Sequence, residues 1–164
     1  MWKRIGIVGL PGSGKTLLSK AIIITDPSGT DDVKPYVSGD SLRPENLGKV
    51  CSVLDSYVVE HMSLSNILLH NSGLNLDILI YLDIPWQVCE ERIRTRFGHN
   101  VGLPVELAVL EQEIRKEVAE LQTNGVCVLT LSLQDEKYIC NKDLVGQELL
   151  EYLMRKAKAD EFVN

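Results

Sequence analysis

The sequence has no excess of basic charge. Its 17 lysines and arginines are outnumbered by 23 acidic residues, for a formal charge of −6. Non-specific nucleic-acid binding draws its affinity from cations set against phosphates, so that class is disfavoured; a local basic groove stays possible. Cysteine is sparse as well. The four, at 51, 89, 127 and 140, form no C-x-x-C pair, and read as reduced structural thiols, with no disulfide frame and no zinc site. The three histidines, at 61, 70 and 99, show no metal-ligand spacing with one another or with the cysteines. No apolar run reaches membrane-spanning length, and Met1–Arg4 leads straight into a strand without a secretory signal. The expectation is therefore a cytoplasmic protein with no membrane partner. Internal repeats and linkers are absent too. A chain of 164 residues that is 45% hydrophobic and 24% charged is the size and make-up of one globular domain.

What is present is concentrated in one stretch. Gly9-Leu10-Pro11-Gly12-Ser13-Gly14-Lys15-Thr16 fits the spacing G-x-x-x-x-G-K-[ST], and each residue type in it has a task. Glycines let the backbone turn tightly enough to aim consecutive N–H groups at an anion. Lys15 sets a positive charge against the β- and γ-phosphates of a nucleotide, and the Thr16 hydroxyl ligates Mg²⁺. The residues before it, Ile5–Val8, read as a buried strand. Those after it read as the start of a helix, whose N-terminal dipole adds to the anion site. Leu10, Pro11, Gly12, Ser13, Gly14, Lys15, Thr16 and Leu17 are the candidate nucleotide contacts.

Strand-like and helical runs alternate along the rest of the chain, which favours a parallel sheet covered by helices on both faces. Strands are expected at Arg4–Val8, Pro35–Ser38, Tyr57–Glu60, Asp77–Asp83 and Val126–Leu131. Helices are expected from Gly14 to Ile24 and over Glu45–Ser56, Leu64–His70 and Pro85–Arg96. A long helix carries Leu107, Leu110, Ile114, Val118 and Leu121 on one face and stops near Asn124-Gly125. A closing amphipathic helix is expected at Asp143–Lys158. Asp26–Lys34 is rich in turn formers and reads as a loop.

Three further groups could carry chemistry. In Ser38-Gly39-Asp40-Ser41-Leu42-Arg43, Asp40 falls at the carboxyl end of a strand, where ligands sit in open parallel sheets. It could accept the proton of an attacking hydroxyl, or cap the next helix. Arg43 could bind an anionic part of the acceptor. In Glu90–Arg96, Arg92 and Arg96 share a helical face and could stabilise a transferring phosphoryl group, with Arg94 pointing elsewhere. Of two strand-end acids, Glu60 is preferred to Asp83 as a metal-side or substrate carboxylate, because its strand is the better candidate to adjoin the phosphate loop.

These residues together resemble the P-loop kinases of the nucleoside and nucleotide kinase superfamily. The likeness lies in Gly9–Thr16, in Gly39-Asp40-Ser41-Leu42-Arg43, and in Tyr81–Arg96, which is similar to that superfamily's strand-to-lid segment. It implies a three-layer α/β P-loop NTPase fold, with a five-stranded parallel sheet in the order 2-3-1-4-5. It also implies ATP and Mg²⁺ as cosubstrate and a lid, here short, near residues 92–104. The reading is then an ATP-dependent kinase. Lys15, Asp40, Arg92 and Arg96 would be catalytic, Asp40, Arg43 and Glu60 would meet the substrate, and Thr16 would hold the metal, with Glu60 reaching it through water. The acceptor is expected to be a nucleoside, nucleotide or similar metabolite. A hydroxyl on DNA or RNA is the alternative acceptor, and an ATPase switch without an acceptor is the alternative activity. The oligomeric state stays open between monomer and homodimer. There is no N-K-x-D stretch of the kind that selects guanine.

Overall fold

A computed structural model describes residues 3–24, 36–38, 43–70, 74–103, 106–134 and 137–140. The expected closing helix at 143–158 lies outside the described residues, as do Gly39–Leu42 and therefore Asp40.

The elements run β1 (Arg4–Gly9), α1 (Lys15–Ile24), β2 (Tyr36–Ser38), α2 (Pro44–Ser52), β3 (Tyr57–Glu60), α3 (Leu64–His70), β4 (Ile78–Asp83), α4 (Trp86–Phe97), α5 (Leu107–Thr123), β5 (Val128–Gln134) and β6 (Lys137–Cys140). The first five strands are parallel, in the order β2-β3-β1-β4-β5. This is the order expected, and with the loop after β1 it is the P-loop fold. Right-handed crossovers place α1 on one face of such a sheet and α3 and α5 on the other. The packing agrees. Helix α1 lies against β1, β2 and β3, whereas α3 and α5 pack on each other and α3 on β1. Strands covered on both faces must be apolar throughout. Ile78-Leu79-Ile80-Tyr81-Leu82 is buried residue for residue, as are Ile5, Ile7 and Val8.

Three boundaries differ from expectation by more than one residue. Helix α2 stops at Ser52, because the Ser52 hydroxyl takes the Lys49 carbonyl at 2.8 Å and Leu54 N turns back to Cys51 O at 3.1 Å. Strand β5 starts two residues late, because Val126 N is spent on Leu121 O, closing the end of α5. It also runs on to Gln134, where β6 joins it antiparallel, with Gln134 opposite Lys137 and Leu131 opposite Cys140. Strand β6 was not foreseen; four residues show too little alternation to be read. Among the described residues no helix is long and apolar enough to cross a membrane.

Candidate functional site

Strands β1 and β3 are neighbours, and the connection from β1 runs toward β2 whereas that from β3 runs toward β4, in opposite directions along the sheet, which opens a crevice at their carboxyl ends. The loop that follows β1 fills the floor of that crevice. Ser13 N donates to Leu10 O at 3.0 Å, and Leu18 N to Gly14 O at 3.0 Å starts α1. Gly12 and Gly14 have φ of 83° and 99°, a region that L side chains rarely adopt. Gly12 is needed for a second reason. A Cβ there would stand 2.8 Å from the Cys89 carbonyl and 3.1 Å from Ile93 Cγ1. Helix α4 therefore rests directly on the loop, and Arg92 Nη1 donates to Gly12 O at 3.2 Å. Lys15 folds back over the loop, its Nζ 2.8 Å from Leu10 O.

A cavity of about 480 Å³ opens above this floor. It is lined by Gly14, Lys15 and Thr16 of the loop and α1, by Glu60 and Met62 at and after the end of β3, and by Arg92 and Arg96 of α4. Leu10 and Ser13 are buried beneath it. Arg96 is exposed and lies over the Phe97 ring at 5.4 Å from the centroid; Ile93, Phe97 and Leu103 are among the apolar residues that line the cavity with it.

Glu60 pairs in register with Ile7, so β3 delivers it beside the loop. It is only 2% exposed. A carboxylate buried this deeply needs partners, and one oxygen has them. Tyr36 OH donates to Oε1 at 3.0 Å, and the Ser38 hydroxyl lies 3.5 Å from the same atom. The other oxygen, Oε2, has no hydrogen-bond partner among the described residues. Burial, together with the neighbouring Glu60 carboxylate, holds the Tyr36 hydroxyl above its ordinary pKa, against the lowering effect of the nearby Ser38 and Thr16 hydroxyls.

Other candidates are placed differently. Arg43 is exposed just ahead of α2 and is not part of the cavity lining. Arg94 points away from the cavity, as its position on α4 foretold. It pairs with Glu90 at 2.9 Å and donates to the carbonyls of His99 and Val101, at 2.6 and 3.4 Å. It thus ties the segment after α4 back onto that helix, a role the sequence did not reveal. Asp83 is engaged by Arg115 at 3.1 Å and by Tyr81 OH at 3.1 Å. Arg115 also meets Glu111 at 3.2 Å, and Glu111 accepts from Trp86 N at 2.7 Å, capping the start of α4. Asp83 therefore belongs to a bracket that seats α4. Cys89 sits under the loop contact, fully buried, its thiol pushed up to about 11 by burial.

Among the described residues no group of three or more His, Cys, Asp or Glu could hold a metal. A Mg²⁺ carried in by a nucleotide needs less, since phosphates and water supply most of its oxygens. One hydroxyl at the head of α1 and one buried carboxylate oxygen with capacity to spare fit that ion.

No protein-family model matches this chain, and no curated protein matches it significantly. Solved structures do resemble it in outline. Shikimate kinase from Bacteroides thetaiotaomicron is 15% identical, with 94% of this chain and 96% of that one covered and a TM-score of 0.48. Deoxyadenosine kinase from M. mycoides with bound dATP is 15% identical, with 93% and 98% covered and a TM-score of 0.49. Shikimate kinase from Acinetobacter baumannii in complex with shikimate is 12% identical, with 93% and 91% covered and a TM-score of 0.42. Likenesses this distant add nothing to what the strand order and the loop already show.

Proposed function

We propose that the protein is an ATP-dependent phosphotransferase acting on a small hydroxyl-bearing acceptor, most naturally a nucleoside, nucleotide or similar metabolite. The observation that supports this best is the cavity. Arg92 and Arg96 of α4 line the same cavity of about 480 Å³ as Gly14, Lys15 and Thr16, which supports two arginines beside the loop where the charge of a transferring phosphoryl group would develop.

In this reading the loop amides and Lys15 hold the β- and γ-phosphates, and Thr16 holds Mg²⁺, with Glu60 reaching it through water. The ion neutralises phosphate charge when bound. The acceptor oxygen bonds to the γ-phosphorus as the bond to the ADP oxygen breaks. Its proton passes to a carboxylate, which we assign to Asp40. Arg92 and Arg96 face the equatorial oxygens, where charge spreads during transfer. Residues 92–104 would form the lid, tied back by Arg94.

The test is transfer of label from γ-labelled ATP to a panel of nucleosides, nucleotides, sugars and oligonucleotides. A labelled small molecule is expected. ATP hydrolysis at one rate with every acceptor would overturn the proposal, and label on the oligonucleotide alone would move the acceptor to a nucleic acid. Asp40→Asn should lower the transfer rate at least about tenfold; a near-normal rate would remove Asp40 from the chemistry.

A further inference from the structure

Helix α4 begins where its own flank cannot cap it. Pro85 precedes it and makes no side-chain cap. The Pro85 carbonyl accepts from Val88 N at 3.0 Å and from Cys89 N at 3.2 Å. The N–H of Trp86, at the head of the helix, has no acceptor within the helix. It donates to Glu111 Oε2, on α5, at 2.7 Å. The cap therefore comes from a different helix, and it brings a negative charge to the positive end of the α4 dipole.

The second oxygen of Glu111 is engaged as well. Oε1 meets Arg115 Nη1 at 3.2 Å, one turn along α5. Arg115 reaches on to Asp83 Oδ1, with Nε at 3.2 Å and Nη2 at 3.1 Å. Asp83 ends β4, the neighbour of β1. The Glu111 side chain is only 12% exposed, and a carboxylate taken that far out of water needs these partners. Their directions fix its orientation.

Beyond its first turn α4 carries the contacts with the loop. Cys89 is three residues past Trp86, and its carbonyl is the atom that a methyl at Gly12 would strike. Arg92 is six residues past Trp86, about 9 Å along a helix, and donates to Gly12 O at 3.2 Å. Over that length a helix moves as a rod. Where Glu111 pins Trp86 thus sets where Cys89 and Arg92 meet the loop. The contacts form a ring, from β1 through Gly12, α4, Glu111, Arg115 and Asp83 to β4, which lies beside β1.

We propose that Glu111 is a positioning residue for phosphoryl transfer. It stands on α5, which contributes nothing to the cavity lining, and acts through α4 to hold Arg92 and the Gly12 turn in place. The inference rests on the reading of the loop as the donor site of a phosphotransferase.

The experiment measures the rate at which label leaves γ-labelled ATP at saturation, in full-length chains checked for folding by circular dichroism. Glu111→Ala is expected to slow it about tenfold, inside the roughly hundredfold that a misplacement of about 1 Å can cost. Glu111→Gln keeps an oxygen for Trp86 N and gives up only the charge, so it should stay within about threefold of wild type. The double variant Glu111→Ala/Arg92→Ala should match Arg92→Ala within about twofold, because the effect of Glu111 passes through Arg92. A wild-type rate in Glu111→Ala overturns the inference, as does Glu111→Gln as slow as Glu111→Ala. A double variant slower than Arg92→Ala by the full Glu111→Ala factor also overturns it, since that marks a structural role. Should Glu111→Ala not fold, Arg115→Ala, at a half-exposed position, reads the same ring. It should slow the reaction about threefold, the worth of a half-exposed ion pair, and only while Arg92 is present; a wild-type rate overturns the inference. Wild-type protein that neither binds ATP by calorimetry nor turns it over would instead sink the underlying reading of the site.

Discussion

Replacing Gly12 by alanine tests how the floor of the site is built. Two costs are expected. The first is conformational: φ is 83° there, and an L residue in the left-handed region costs about 1–2 kcal/mol. The second is steric. The new methyl would stand 2.8 Å from the Cys89 carbonyl and 3.1 Å from Ile93 Cγ1. The carbonyl belongs to the backbone of α4 and cannot swing aside, so helix or loop must shift, at about 1–3 kcal/mol. Gly125 supplies the control. Its φ is 90° at the end of α5, but a methyl there meets nothing within 4 Å. Gly125→Ala should therefore lose only the conformational part. Urea unfolding of both variants reads the difference, and ATP titration reads its effect on the site. Gly12→Ala should be less stable than Gly125→Ala by about 1–3 kcal/mol and bind ATP more than about tenfold more weakly, with Gly125→Ala unchanged in binding. Equal stabilities, or normal ATP affinity in Gly12→Ala, would refute the claim that α4 is seated on the loop.

Other expectations are simpler to state. Arg92→Ala should lower the phosphoryl-transfer rate by about a hundredfold, measured at saturating ATP, with far less effect from Arg94→Ala, whose partners are Glu90 and the carbonyls of His99 and Val101. The carboxyl of Asp77, though raised by its partial burial, is held below its ordinary 3.8 overall by the amides of Arg4 and Lys3 and by their charges. A depressed carboxylate stabilises the fold above that value and loses its contribution as pH falls below it. The stability gap between wild type and Asp77→Asn, read by urea unfolding, should thus be present at pH 6 and shrink on acidification. Burial pushes the thiols of Cys51 and Cys89 up to about 11, whereas Cys127 is exposed. Iodoacetamide followed by peptide mass mapping should label Cys127 well before Cys51 and Cys89 in folded protein; equal rates would contradict their burial.

What the sequence made readable was local. The turn after β1 could be read because its glycines act through their own backbone and immediate neighbours. Strands β3 and β4 could be read because a central parallel strand must be apolar on both faces, as Tyr57–Val59 and Ile78–Leu82 are. The stripe on α5 held for the same reason: Leu107, Ile114, Val118 and Leu121 are buried and Leu110 is partly so. What the sequence concealed was produced by pairing across long separations. Tyr36 meets Glu60 across 24 residues, and Arg115 reaches Asp83 across 32. No periodicity announces such contacts. That Glu60, rather than Asp83, would lie beside the loop was legible only through the inferred strand order. The loop's need for glycine at 12 was legible, but the contact with Cys89 that doubles that need was not.

The most direct measurement is γ-phosphate transfer from labelled ATP to an acceptor, run side by side on wild-type protein and Lys15→Ala. Lys15 is half-buried and folded over the loop, and in the proposed function its loss removes the charge that meets the terminal phosphate. The account predicts labelled acceptor from the wild type and none from the variant, with both chains folded by circular dichroism. Transfer by Lys15→Ala at the wild-type rate would contradict it.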